Sequence, residues 1–382
     1  MNHKNNMQFC LLSALGSFMV VDGHLNGSFL DIGGLIQYYF FHMPLFVFIS
    51  GYFYKGCEDS IASYGIYKFK RLMVPYFIWN LIYGILAQFL RNYGFAFGEP
   101  VTLITLFVEP FRMGYQFVLN HVAWFVPTLF LVEIANAVLT NLIHHLSGRI
   151  FSSPQKALNY EVFIQTGLYL LISLGGIYIS RRFRTEGFLL MAVRVMFLLL
   201  FYSAGSLYRE KLETIDTIKS VYYFPVLLCI AISLAWSGRP LIYGLWNCRD
   251  FPGYVLPYLT AFMGIAFWLR AARILAPAFQ DSTLVRFWGR NTYAIMMHHM
   301  MVFFLIKTLY ACFASFSGLF QAFDFTAYQT DFYYCYFPRG IPGFRVFYLL
   351  AGIGVPLGFQ WFLNRIFFYL KGHVCWQRHH HK

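Results

Sequence analysis

An ionisable side chain inside a long apolar stretch is costly, so one that stands there usually faces a bundle interior and often has a task. His24 follows Val20-Val21-Asp22-Gly23 at the end of the first apolar stretch, and His42 lies in YYFFHMPLFVFISGYFY at 38–54. Glu133 follows HVAWFVPTLFLV, His298 and His299 lie in WGRNTYAIMMHHM at 288–300, and Arg194 and Lys307 are further charges in apolar surroundings. An imidazole with a pKa near neutrality can take a proton from a hydroxyl. Each residue also has a structural use. His24 suits a helix end at an interface, and His42, just before Met43-Pro44, suits a carbonyl freed by the proline kink. Glu133 suits neutralisation of Arg194 or another internal cation, and His298 suits packing or hydrogen bonding. In KFKRLMVP at 68–75, Lys68, Lys70 and Arg71 beside a helix N-terminus would hold a polyanion such as the diphosphate of a nucleotide cofactor. The same cations would equally anchor a span at its inner face.

No GxSxG, HExxH or P-loop pattern is present. Seven cysteines are scattered without a CxxC pair, so no metal site is expected; a bridge among Cys248, Cys312 and Cys335 stays open. The His379-His380-His381 tail is given no role.

What must position these groups is a membrane bundle. The chain is 59% hydrophobic and only 12% charged, about half the charged share of a soluble globule, and its mean hydropathy is +0.55. The apolar residues fall in blocks close to the ~20 residues that cross the hydrocarbon layer. The expected fold is all-α: a polytopic transmembrane helix bundle of about ten spans, at 7–23, 30–53, 72–90, 122–143, 162–180, 188–208, 221–236, 254–272, 293–313 and 346–369. It forms one integral-membrane domain over 1–382, with a cytoplasmic tail at 371–382. The first block lacks a small-residue cleavage site and reads as a retained helix. Segment 101–119 holds Glu109, Pro110 and Arg112 and reads as interfacial or re-entrant. With both termini cytoplasmic, 17 Lys and Arg fall on the inner side, Lys4 and Lys382 among them, against 8 outside. The run Arg181-Arg182-Phe183-Arg184 opposes that orientation. The net charge of +13 is thus accounted for without nucleic acid. An aromatic share of 21% suits interfacial belts, and the two halves show no inverted repeat.

Four segments together resemble the acyltransferase-3 family of membrane acyltransferases: FHMPLFVFISGYFY at 41–54, KFKRLMVPYFIW at 68–79, HVAWFVPTLFL at 121–131 and WGRNTYAIMMHH at 288–299. They stand in order over nearly the whole chain. The resemblance implies a multi-pass enzyme of the cell membrane that moves an acyl group, often acetyl from cytoplasmic acetyl-CoA, to a sugar hydroxyl of a surface or exported glycan. Its partners would be acyl-CoA, a glycan or lipid-linked sugar, and the bilayer, with no metal. It implies His24 as the base, with His42 or Trp124 as donor to the tetrahedral oxyanion. Lys68, Lys70 and Arg71 would hold the CoA phosphates, and Trp124, Glu133 and His298 would meet the acceptor. Many members carry Arg or Lys eleven positions before the His; here that position is Ser13, and Asp22 is no obvious substitute, since residues two apart on a helix point apart. The topology sets His24 near the outer end of its helix, so the pantetheine arm would need a protein-lined channel unless that helix sits deeper. A transporter or flippase for a glycan or lipid-linked sugar is the alternative.

Overall fold

Inside a bilayer every backbone N–H and C=O needs a partner within the protein, and a helix supplies it within one segment. The computed structural model describes residues 6–57, 60–150, 154–239, 241–317 and 319–380. Lys4, His381 and Lys382 lie outside the described residues. Among those described there is no strand, only an isolated bridge between Gly244 and Arg249.

The helices are α1 (Met7–Gly23), α2 (His42–Tyr52), α3 (Ile61–Lys68), α4 (Val74–Arg91), α5 (Leu103–Phe107), α6 (Phe125–Ile150) and α7 (Pro154–Arg182). Then come α8 (Gly187–Leu207), α9 (Ser220–Trp236), α10 (Leu256–Leu275), α11 (Thr283–Arg290), α12 (Thr292–Ser317), α13 (Phe325–Thr330) and α14 (Arg345–His380). Among the described residues, seven helical stretches are long and apolar enough to cross a membrane, and α1 and α9 are shorter apolar helices. Exposed Leu, Ile and Phe side chains such as Leu171, Phe188, Phe316 and Leu350 line the flanks, as a lipid-facing surface requires.

Two expectations change in detail. The second apolar segment is not a 24-residue helix. Residues 25–37 form a loop, Tyr38–Phe40 a 3-10 turn, and only α2 is α-helical. Pro44 cannot donate to the Phe40 carbonyl four residues back; that carbonyl accepts instead from the Tyr243 hydroxyl at 2.9 Å. The second change concerns KFKRLMVP. α3 and α4 are one helix joined by a π turn at Phe69–Met73, so no free helix N-terminus stands beside Lys68, Lys70 and Arg71.

Segment 101–119 does not span. It forms α5 and a 3-10 turn, Glu109–Phe111, in which Arg112 pairs with Glu109. Leu103, Ile104 and Phe107 are exposed, as in a re-entrant or interfacial element. The arginine run beyond α7 is partly tied down. Arg181 donates to the Phe251 carbonyl at 2.7 Å, and Arg184 and Arg249 both pair with Glu186. Cys248, Cys312 and Cys335 are free thiols.

The depth of α1 follows from its contacts. α11 packs along α1, with Gly289 against the Cys10 carbonyl, and the Trp288 indole donates to Ser17 Oγ at 2.8 Å. From that level α1 runs seven residues to His24 while the chain into α12 runs eleven to His299, and the two imidazoles meet. His299 is the eighth residue of α12, so it lies about 10 Å above the start of that helix at 1.5 Å per residue. His24 therefore lies level with the eighth residue of α12, well short of that helix's far end. α1, with 17 residues, is about 25 Å long, shorter than the ~30 Å hydrocarbon layer.

Candidate active site

Four imidazoles converge beyond the end of α1. His24 caps that helix, and its ring lies 5.4 Å from His299 and 5.7 Å from His121, centre to centre. Tyr333, from the loop after α13, stacks over it at 6.4 Å and 18°. His42, at the start of α2, packs edge-on at 5.4 Å against Tyr39, whose hydroxyl reaches the Gly23 carbonyl next to His24. His299 is fully buried, and His24, His42 and His121 are half-buried. At the rim, Tyr333 is 52% and Tyr39 44% exposed, so the cluster opens between two phenols.

Backbone geometry fixes the protons of three of these rings. His42 Nδ1 contacts the Tyr38 carbonyl at 2.5 Å, His299 Nδ1 the Ile295 carbonyl at 2.7 Å, and His121 Nδ1 the Val118 carbonyl at 3.2 Å. A carbonyl only accepts, so each Nδ1 carries the hydrogen and each Nε2 is left as an acceptor. The Tyr333 hydroxyl fills that role on His121, donating to Nε2 at 2.7 Å. Desolvation of that hydroxyl, with Tyr39 and Asp331 nearby, pushes the Tyr333 phenol up to about 12, so it stays a donor. His299 Nε2 has no partner and is buried. With Nδ1 on the Tyr38 carbonyl, the free Nε2 of a neutral His42 ring is an acceptor. Its partner is Tyr38, not the carbonyl that Pro44 frees.

Asp22 serves the loop rather than His24. Its carboxylate accepts from the Tyr38 hydroxyl at 2.8 Å and from Phe29 N–H at 3.0 Å. Gly27 sits so close that a Cβ there would overlap Asp22 Oδ1. His24 itself has no hydrogen-bond partner among the described residues, only ring contacts.

The other candidates lie apart. His298 points away from its neighbour His299: it shares a 2.7 Å hydrogen bond with Tyr83 and packs edge-on against Trp79 at 4.4 Å. Trp124 lies under the Arg194 guanidinium at 4.4 Å. Arg194, fully buried, donates to the carbonyls of Met113, at 2.9 Å, and Trp246. Glu133 pairs with Lys68 at 2.7 Å and not with Arg194. Lys70 and Arg71 are exposed at the basic end, Arg71 donating to the Tyr67 hydroxyl at 2.9 Å.

The Lys68–Glu133 pair joins α3 to α6 and yields a prediction. Glu133 is buried and Lys68 only partly so, so breaking the pair from one side leaves a poorly solvated charge and costs less than breaking a fully buried pair, about 3 kcal/mol. Glu133→Leu should therefore lower thermal stability clearly, and Lys68→Met added to it should recover most of the loss. A double variant no more stable than the single one would refute this account of the pair.

His121 and Tyr333 were not among the expected site residues. His121 opens the quoted segment 121–131, so its position was visible but its role was not. Tyr333 sits in a tyrosine-rich loop that carries no pattern. Two surface cavities, of about 600 and 390 Å³, lie elsewhere, lined by Arg112, Glu186 and Phe188 and by Arg181, Arg184 and Arg249. Neither is lined by a histidine.

The structure thus defines an α-helical membrane bundle with imidazoles gathered inside it. The family model of the acyltransferase domain matches residues 11–316, and the chain belongs to the acyltransferase-3 family. It is thus a membrane acyltransferase. The match takes in His24, His42, His121 and His299 and stops before Tyr333. No curated protein and no solved structure matches.

Proposed function

We propose that this membrane acyltransferase carries an acyl group, acetyl in the first instance, from cytoplasmic acyl-CoA to a sugar hydroxyl of a cell-surface or exported glycan, with His24 as the base. The observation that carries the reading is the half-buried, unbonded imidazole of His24 at the centre of a histidine cluster within an acyltransferase-3 chain. A sugar hydroxyl is a poor nucleophile at neutral pH. His24 takes its proton as the oxygen bonds to the thioester carbonyl, and that proton then leaves with the CoA sulfur as the C–S bond breaks. Such a base contributes about 10²–10⁴ in rate.

The acceptor approaches from the open side, between Tyr39 and Tyr333, whose exposed faces suit a sugar ring. The donor approaches from the basic end. The Tyr293 hydroxyl donates to the Leu72 carbonyl at 3.3 Å, which sets Lys70 and Arg71 one turn below the start of α12. From Tyr293 to His299 is six residues, about 9 Å of helix. Met73, Met296 and Met297 occupy that interval, and unbranched methionine side chains reseat readily around a flexible arm. Lys70 and Arg71 then take the CoA phosphates, while Lys68 is already answered by Glu133. This arrangement needs only a short passage, because His24 lies level with the eighth residue of α12.

Charge reversal at Lys70 and Arg71 is expected to raise the KM for acetyl-CoA at least about tenfold, since charge-assisted phosphate contacts are among the stronger polar interactions, and to leave kcat near wild type. An unaltered KM would leave these residues as anchors alone. The function itself is tested by glycan mass. Cells with the gene should carry glycans heavier by one acyl group per modified sugar than cells without it, and equal masses would refute the reading. Saturating CoA should also raise the melting temperature of the purified protein, as any ligand selective for the folded state does.

A further inference from the structure

We propose that His299 is the positioning residue of the proton transfer: its Nε2 receives the N–H of His24 and so fixes which nitrogen of His24 meets the acceptor hydroxyl. The inference rests on the acyl-transfer reading above.

Several observations converge on it. A catalytic imidazole needs something to hold its second nitrogen, or either tautomer and several ring angles compete. Ser13 is eleven residues away, about 16 Å of helix, and out of reach. Asp22 Oδ2 holds Tyr38 and Phe29, and its Oδ1, buried and without a partner, is packed against Gly27. His121 Nε2 is taken by Tyr333. His42 also keeps Nε2 as an acceptor, but the rings in contact with His24 are those of His121, His299 and Tyr333. That leaves His299, fully buried, with Nδ1 pinned to Ile295 and Nε2 buried without a partner. A buried acceptor left bare is costly unless a donor reaches it. The His24 and His299 centroids stand 5.4 Å apart. Two imidazoles joined by an N–H···N bond of about 2.9 Å have centres at nearly that separation, so a small rotation of the half-buried His24 ring closes it.

The bond also has the right polarity. His24 becomes an imidazolium when it takes the hydroxyl proton, and an N–H shared with a neutral acceptor strengthens as its donor becomes charged. His299 gains no net proton; the one His24 has taken passes to the departing CoA sulfur.

The test uses vesicles carrying the full chain and the cell's own glycans, with labelled acetyl-CoA as donor. Glycan acylation is compared with hydroxamate formed when hydroxylamine is added, because hydroxylamine attacks a thioester without prior removal of a proton. The wild type, His299→Leu and His299→Gln are measured together. His299→Leu should lower kcat for glycan about 10²-fold, leave the KM for acetyl-CoA within about twofold, and lower hydroxamate formation far less. Gln, whose amide oxygen can still accept, should recover at least about tenfold of the loss. Hydroxylamine also attacks acetyl-CoA in free solution, so the hydroxamate formed by vesicles lacking the chain is subtracted. The ratio of what remains counts only active molecules, and should the Leu variant yield no protein, the ratio in His299→Gln decides. An unaltered ratio, or equal loss with both nucleophiles, overturns the inference. A wild type that acylates glycan while His299→Leu does so equally well overturns this inference alone, whereas a wild type with no acetyl-CoA-dependent product overturns the function on which it rests.

Discussion

Replacing His24 by alanine is expected to reduce glycan acylation by at least 10²–10⁴-fold, the usual worth of a general base, while the protein still inserts and folds. The second half of that expectation follows from the geometry. His24 lies past the last residue of α1, is only half-buried, and holds no hydrogen bond among the described residues. Its removal leaves no orphaned partner except those already bare. Asp22, two residues earlier, gives the contrast. Asp22→Ala would strip the Tyr38 hydroxyl and the Phe29 N–H of their acceptor and disorder the loop at 25–37, so loss of activity there would not be diagnostic. The measurement is acyl-CoA-dependent glycan acylation, alongside size-exclusion and thermal profiles of the same preparation. Normal acylation by His24→Ala would remove this ring from the mechanism.

His24 was legible because a histidine in an apolar stretch is conspicuous and because the four quoted segments point to it. Its surroundings were not. His121 and His299 lie 97 and 275 residues further along the chain, and nothing in their spacing says that the bundle brings both to the end of α1. Of the adjacent pair His298 and His299, the sequence favoured the first for contact with the acceptor. Consecutive residues on a helix point about 100° apart, and it is His299 that turns towards His24 while His298 turns to Trp79 and Tyr83. Glu133 was expected to neutralise some internal cation, but Lys68 could not be told from Arg194 without knowing which helices touch. Arg194 needs no carboxylate, since two carbonyls and the face of Trp124 surround it.

The helical bundle itself was written in the hydropathy, and nine of the ten expected segments appear as helices over most of their length. The tenth, at 30–53, is largely apolar apart from Asp31, Gln37 and His42, yet begins as a loop. Gly33 and Gly34, both with positive φ, break it, and a largely apolar composition alone cannot separate a loop from a span. That loop matters to the site, because it brings Tyr38 and Tyr39 to the end of α1; the Tyr39 hydroxyl donates to the Gly23 carbonyl at 3.1 Å. The short α1 and the short α2 together set His24 and His42 within the bundle, which no estimate of helix ends from hydropathy would reveal.

Valine at Gly51 or Gly205 is expected to be the most damaging change to the fold. α2 and α8 meet at these two glycines in a reciprocal way. A Cβ on Gly51 would lie 1.9 Å from the Tyr202 carbonyl oxygen, and one on Gly205 would lie 2.0 Å from that of Phe48. Both obstacles are backbone, which cannot swing aside, so the helices must part. Small residues at a helix crossing permit such close approach in membranes. Parting them also breaks the hydrogen bond from Ser206 Oγ to the Gly51 carbonyl, 2.9 Å long, and the Arg209 donation to the Tyr52 carbonyl at 3.0 Å. Overpacking of this kind costs about 1–3 kcal/mol or more. Gly167→Ala, where nothing lies within 4 Å of the new Cβ, is the control and should be neutral or slightly stabilising, because alanine favours helix over glycine by up to about 1 kcal/mol. Thermal unfolding in detergent should separate the two classes cleanly. Because α2 carries His42 and forms one wall of the imidazole cluster, surviving Gly51→Val protein should also acylate poorly, since a displacement of about 1 Å can cost a factor near 10². Melting temperatures for the valine variants equal to that of Gly167→Ala would mean that α2 and α8 do not approach this closely, and the depth and shape of the cluster beside them would have to be redrawn.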